Sequence, residues 1–268
     1  FPICAVAGMR MPPVERRSPS GPPVFTRIRS FIILIGSFSS SPDPVSAVTA
    51  PTVPSLPVAD DSLVLRTADG LALEAEMRAP EHPTASVVLA HPHPLHGGSM
   101  RSVVTSELFR LLPGSGIVAL RFNFRGVEGS EGTHGGGVDE ALDVVAALDA
   151  LEAAGAPAPL AVVGWSFGGD VSLSVVDERI DGWVPVAPTL RVLPPEALAA
   201  AHDPRPKHLI VPEHDQFRPP TAAAEATAGW VNTTIDTVAG ADHFLLGRTD
   251  ALASLVRRRV GDLPRRAG

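Results

Sequence analysis

The stretch Leu160-Ala-Val-Val-Gly-Trp-Ser-Phe-Gly-Gly169 runs from apolar β-formers directly into Gly-x-Ser-x-Gly, and then into a helix-like segment starting near Asp170. A strand that stops in a sharp turn and feeds a helix leaves the central serine hydroxyl exposed at the helix head, which is the sequence form of a nucleophile elbow. Gly164 and Gly168 suit so tight a turn, because a Cβ at either would collide with the neighbouring strand or helix. Gly-x-Ser-x-Gly alone is a weak pattern that loops produce by chance. Its position between a buried-strand run and a helix marks Ser166 as a candidate nucleophile rather than a bystander in a glycine-rich turn.

Working outward, strands and helices alternate. Upstream, Ser62–Thr67 and Leu71–Glu76 alternate well enough for strands, with the hairpin signal Asp69-Gly70 between them. Ser86–Ala90 reads as a buried strand, Arg101–Leu112 as a helix and Ile117–Phe122 as the next strand. Val138–Ala154 reads as a helix with Leu142, Val145, Leu148 and Leu151 on its core face. Downstream, Val171–Asp177 continues the elbow helix. Trp183–Ala187, Lys207–Val211 and Thr233–Val238 supply later strands, and Leu245–Arg259 a closing helix. Repeated β-α-β units with buried strands imply an α/β fold with a mostly parallel central sheet and helices on both faces.

Functional loops in such a sheet lie at the carboxyl ends of the strands. Ser166 follows the elbow strand. Pro212-Glu-His-Asp-Gln216 follows the Lys207 strand and offers Asp215; Ala239-Gly-Ala-Asp-His-Phe244 follows the last strand and offers His243. Ser, acid, His is the chain order of a known triad arrangement. A serine hydroxyl is a poor nucleophile near neutral pH. His243 would take its proton and return it to the leaving group, and Asp215 would hold the imidazole tautomer and stabilise the imidazolium. His243 has a bland reading as a surface histidine, and Asp215 has competitors in Glu213 and Asp242. Asp215 is preferred, since Asp242 adjoins the histidine and neighbours in an extended loop tend to point apart. The fourth element is His91-Pro-His-Pro-Leu-His-Gly-Gly98, directly after the Ser86–Ala90 strand. The loop after that strand supplies one oxyanion-hole N–H, and the residue after the nucleophile, Phe167, supplies the other. Proline has no N–H, so Pro92 and Pro94 are excluded, and of His93 and Leu95 the first is favoured.

With these pieces in place the chain resembles the α/β-hydrolase superfamily over about residues 60–260. His91-Pro-His, Gly97-Gly-Ser-Met100, Arg121-Phe-Asn-Phe-Arg-Gly-Val-Glu-Gly-Ser130 and Gly164-Trp-Ser-Phe-Gly-Gly169 resemble the small, lidless, esterase-like members related to dienelactone hydrolases. The resemblance implies Ser166, Asp215 and His243 as triad and His93 and Phe167 as oxyanion donors. It implies a serine hydrolase acting on small to medium carboxylic esters without a cofactor. Two departures stand out: true dienelactone hydrolases carry a cysteine nucleophile, and Pro212 stands where relatives often have glycine. Only Pro188–Pro206 lies between the sixth strand and the acid strand. That is room for a short helix near Pro195–Ala201 and not for a cap domain. Arg125 is expected to brace its loop through carbonyls, with contact to an acidic substrate group as the lesser reading.

Two other classes compete. His91-x-His93-x-x-His96 resembles the His-x-His-x-Asp-His signature of metallo-β-lactamase-type hydrolases, and three imidazoles could hold zinc. Leu95, however, stands at the Asp position, and two prolines constrain the motif. The other class is an inactive α/β-hydrolase-fold binding protein, although such members usually lack the serine or the histidine.

Composition agrees with one large domain. The chain has 268 residues, 44% of them apolar, and a net charge of −7, with no basic stripe pointing to nucleic acid or an anionic membrane. Cys4 is the lone cysteine, so no intrachain disulfide is possible and a cytoplasmic location is expected. Residues 1–58, rich in Pro, Ser and Arg, read as a disordered tail that the functional protein need not include, with residues 59–268 as the hydrolase domain. Arg27-Ile-Arg29 before Phe31–Ile35 mimics a signal peptide, but the apolar run is short and late.

Overall fold

The computed structural model describes residues 61–265; the expectations for the N-terminal tail and its signal-like run lie outside the described residues. The strands are β1 (Asp61–Arg66), β2 (Ala72–Arg78), β3 (Ala85–Ala90), β4 (Ile117–Phe122), β5 (Leu160–Gly164), β6 (Gly182–Trp183), β7 (Lys207–Pro212) and β8 (Thr233–Val238). The helices are α1 (Val103–Leu111), α2 (Glu140–Ala153), α3 (Phe167–Ser174), α4 (Pro220–Ala226) and α5 (Thr249–Gly261). The strands form one sheet in the order β1-β2-β4-β3-β5-β6-β7-β8. β2 runs antiparallel to β1 and β4, and every other pair is parallel. The Asp69-Gly70 turn closes the first hairpin: Gly70 takes φ +91°, and its N–H donates to Thr67 O.

The period-2 alternation of a strand sorts the central apolar runs onto two faces. Val88 and Ala90 of β3, Val118, Leu120 and Phe122 of β4, and Val162 of β5 share one core with Val144, Leu148 and Leu151 of α2 and Val171 of α3. The alternate residues Val87, Leu89, Ala119, Ala161 and Val163 share the other with Val104 and Leu108 of α1 and Leu252, Val256 and Val260 of α5. Covering both faces is what makes these strands apolar throughout. Each fully buried Val, Leu or Phe contributes about 1.5–3 kcal/mol relative to exposure.

Four expectations are corrected by local chemistry. The buried face of α2 runs through Asp143, Val144, Ala147, Leu148 and Leu151, while Leu142 and Val145 are only half-buried. The face is rotated because Asp143 turns inward to a buried ion pair with Arg125 (2.7 Å). Arg125 also meets Asp69 at 3.0 Å. It braces its loop as expected, but through carboxylates rather than carbonyls, and it is not among the residues that line the cleft. The expected Trp183–Ala187 strand is regular only at Gly182–Trp183. Trp183 N–H donates to Pro206 O and Ala187 N–H to Ile210 O; the rung between them falls to Pro185, which has no N–H. The elbow helix starts at Phe167 and ends at Ser174, where the Ser172 and Ser174 hydroxyls bond back to Gly169 O and Val171 O. Between β6 and β7 lie two short 3-10 turns, Pro195–Ala197 and Ala199–His202, and no cap domain. No helix among the described residues is long and apolar enough to cross a membrane.

Candidate active site

The carboxyl ends of β3, β5, β7 and β8 deliver the candidate residues to one cleft of about 460 Å³. At the end of β5 the chain turns through Ser166 at φ +54°, ψ −113°, a conformation that costs a non-glycine residue of order 1–3 kcal/mol. The surroundings over-determine it. Ser166 N–H donates to Val186 O (2.9 Å), Gly168 N–H to Trp165 O (3.0 Å), and Asp170 N–H to Ser166 O (3.1 Å). A Cβ on Gly164 would overlap the Gly168 carbonyl, and one on Gly168 the Ala90 carbonyl at the end of β3. The two glycines therefore let the elbow press against its own helix and the neighbouring strand.

Ser166 Oγ lies 2.9 Å from His243 Nε2, and His243 Nδ1 lies 2.8 Å from Asp215 Oδ2. With Nδ1 protonated, the imidazole donates to the carboxylate and presents a lone pair to the hydroxyl. All three residues are buried, Asp215 and His243 almost completely. The other carboxylate oxygen, Asp215 Oδ1, accepts the N–H groups of Phe217 (2.8 Å) and Arg218 (3.0 Å), so the acid is held by its own loop. Trp165 Nε1–H donates to His243 O (3.2 Å) and ties the histidine loop to the elbow. The competing acids are engaged elsewhere: Glu213 accepts from Gly240 N–H (2.7 Å), and Asp242 accepts from Phe244 N–H (3.0 Å) and Leu245 N–H (3.2 Å).

After β3, His93 lines the cleft beside Phe167, their rings 4.9 Å apart. The Leu95 N–H, the other candidate donor, is used locally on His93 Nδ1 (3.3 Å). The N–H groups of His93 and Phe167 make no hydrogen bond among the described residues. For Phe167 this follows from its place as the first residue of α3, where helix N–H groups have no intrahelical partner.

His91 has a different task. Fully buried, it donates Nδ1–H to Pro92 O (2.6 Å) and accepts Phe124 N–H on Nε2 (3.0 Å), stitching the loop after β3 to the loop after β4. Both nitrogens are committed, so His91 cannot join His93 and His96 as a metal ligand. No group of three His, Cys, Asp or Glu among the described residues could hold a metal ion. Burial pushes the His91 imidazole down to about 4, and protonating Nε2 would also set it against the Phe124 donor. The folded state thus keeps His91 neutral where the unfolded chain, near 6.5, takes up a proton. Stability from this group is complete above about pH 6.5 and falls as the pH drops toward 4, by about 3 kcal/mol in all. Urea midpoints across this window should fall more steeply for the native chain than for His91→Gln; equal slopes would contradict the assignment.

Sequence reasoning missed the far wall of the cleft, formed by Thr189 and Val192. The wholly buried Asp170 carboxylate, one turn into α3, accepts from Thr189 Oγ1 (2.8 Å) and the N–H groups of Leu190 (2.9 Å), Arg191 (2.9 Å) and Val192 (3.1 Å). Arg218 Nε donates to Thr189 O (3.0 Å) from the acid loop. These bonds hold a segment whose Ala187 and Leu190 sit at φ +46° and +53°. The available signal was a lone carboxylate on an otherwise apolar helix start.

No family model matches the chain. It is 35% identical over 122 residues to an uncharacterized protein of Rickettsia prowazekii, a match covering 44% of this chain and 50% of the relative; the chain spans about half the length of that curated relative. Among solved structures it is similar to an α/β serine hydrolase homologue from Coxiella burnetii, with 28% identity and a TM-score of 0.64, covering 75% of this chain and 97% of the other. It is also similar to a serine hydrolase without a lid from Xanthomonas campestris, with 25% identity and a TM-score of 0.67, covering 79% and 100%. Fold and site together define an α/β-hydrolase. The chain belongs to the lidless members of that superfamily.

Proposed function

We propose that the chain is a serine carboxylester hydrolase that cleaves small to medium esters through an acyl-enzyme. The observation that carries this is the unbroken chain from Ser166 Oγ through the His243 ring to Asp215, at 2.9 and 2.8 Å, opening on a cleft. Ser166 Oγ attacks the ester carbonyl carbon as its proton passes to His243 Nε2. The carbonyl electron pair moves onto oxygen, which the N–H groups of Phe167 and His93 receive. Asp215 stabilises the imidazolium through Nδ1–H. The C–O bond to the leaving alcohol then breaks, and the alcohol takes the proton from His243. Water, deprotonated by the same imidazole, attacks the acyl carbonyl carbon; the bond from that carbon to Ser166 Oγ breaks, Oγ takes the proton back from His243, and the acid is released. A cytoplasmic location is part of the proposal, supported by the single cysteine, which permits no intrachain disulfide.

Chain length tests the substrate range. The segment between β6 and β7 builds only two short turns, which leaves no wall for a long acyl tunnel. Each buried methylene is worth about 0.8 kcal/mol, a few-fold in binding, and an open cleft collects this for only a few carbons. In a series of p-nitrophenyl esters, kcat/KM should peak at about two to six acyl carbons and then flatten or fall. A steady rise through about twelve carbons, below the micelle limit, would contradict the open-cleft reading.

A further inference from the structure

Two phenyl rings pack on His243 at the mouth of the site. Phe217 packs on the His243 imidazole with centroids 4.5 Å apart at 63°, and Phe244 at 5.7 Å and 88°. Both rings line the cleft, yet remain 44% and 46% exposed. Neither sits on a slack loop. Phe217 N–H donates to Asp215 and Phe244 N–H to Asp242, so each ring is carried by a backbone turn fastened to a carboxylate. Two large apolar side chains are thus held half in water against the acid–base group. The described lining of the cleft contains no Lys, Arg, Asp or Glu.

Whatever alcohol departs must place its oxygen within hydrogen-bond reach of His243 Nε2 to receive the proton. The carbon group on that oxygen then lies against the rings that flank the imidazole. We infer that Phe217 and Phe244 form a leaving-group subsite for neutral alcohols bearing a flat aromatic group, such as arylmethyl alcohols. The inference rests on the serine-esterase reading above and assigns its alcohol side. Aromatic rings gain from edge-to-face and offset contacts beyond the area they bury, so a flat group gains more here than an alkyl group of equal size.

The experiment uses acetate esters, so that the acyl half is constant: benzyl, cyclohexylmethyl and ethyl acetate. Labelling by a fluorophosphonate and turnover of ethyl acetate first establish whether the chain is a serine esterase at all. If both fail, the underlying reading falls and the subsite with it. If they succeed, kcat/KM for benzyl acetate should exceed that for cyclohexylmethyl acetate and be about tenfold or more above ethyl acetate, the gain appearing in KM. In Phe217→Leu/Phe244→Leu, which keeps apolar bulk but removes the flat faces, the benzyl-to-cyclohexylmethyl ratio should collapse toward one. Three results would overturn the subsite while leaving the esterase standing. The first is no benzyl preference in the native chain, and the second is a preference that survives the double substitution. The third is an equal loss on all three esters, which would mean that the rings act on His243 and not on the alcohol.

Discussion

Ser166→Ala is expected to lower kcat for a short acyl ester by on the order of a million-fold, with the fold intact. The size of the effect follows from the chemistry: without Oγ no acyl-enzyme can form, and what remains is water attack beside the two backbone donors. The fold should survive because Ser166 contributes little packing. Its strained conformation is imposed by backbone hydrogen bonds from Ser166, Gly168 and Asp170, none of which needs the hydroxyl. The change in unfolding free energy should stay within about 1 kcal/mol. Turnover and a urea titration check both halves. Retention of more than about a hundredth of native turnover would remove Ser166 from the nucleophile's role.

Asp215→Asn should cost about 10⁴-fold in kcat. An amide at this position can present its N–H₂ to His243 Nδ1, which selects the tautomer that points a proton, not a lone pair, at Ser166. The packing is conserved, since an amide oxygen can still accept from Phe217 and Arg218 N–H. Asp242→Asn and Glu213→Gln should be mild, changing kcat less than about tenfold, because Asp242 accepts from the backbone of its own loop and Glu213 from the Gly240 N–H, and neither carboxylate is bonded to the His243 ring. Steady-state kinetics on the three variants decides the matter. A larger loss from Asp242→Asn than from Asp215→Asn would reassign the acid.

Much of this architecture is legible in the chain because strand ends, glycines and prolines leave strong local signals. The elbow is one case: β5 is an unbroken apolar run, and two glycines stand where the backbone has no room for a Cβ. The meeting of Ser166, Asp215 and His243 is another, since parallel strands deliver all their following loops to one edge. What escaped the reading depends on contacts far apart in sequence. Asp143 on the buried face of α2 contradicts helical periodicity until Arg125 is known to be its partner, 18 residues away. Asp170 reads as an ordinary first-turn acid, and only the fold brings residues 189–192 onto it. α4, with Pro220-Thr-Ala-Ala-Ala-Glu-Ala226, carries small residues and a single fully buried one, so it lacks the apolar stripe that marks α1 and α5. The metal-like triplet after β3, the competing reading, depends on such contacts too. Its spacing is suggestive, but His91 spends both nitrogens on the backbone of two loops.

Active-site labelling tests the central claim most directly. The native chain is treated with a fluorophosphonate while residual ester hydrolysis is followed, and the product is weighed intact and mapped by peptide. The expected result is one adduct per chain, on Ser166, formed in step with the loss of activity and absent from Ser166→Ala and slowed in His243→Gln. Hydrolysis that persists after stoichiometric labelling, or that resists the reagent and disappears with a chelator instead, would contradict a serine mechanism in this cleft.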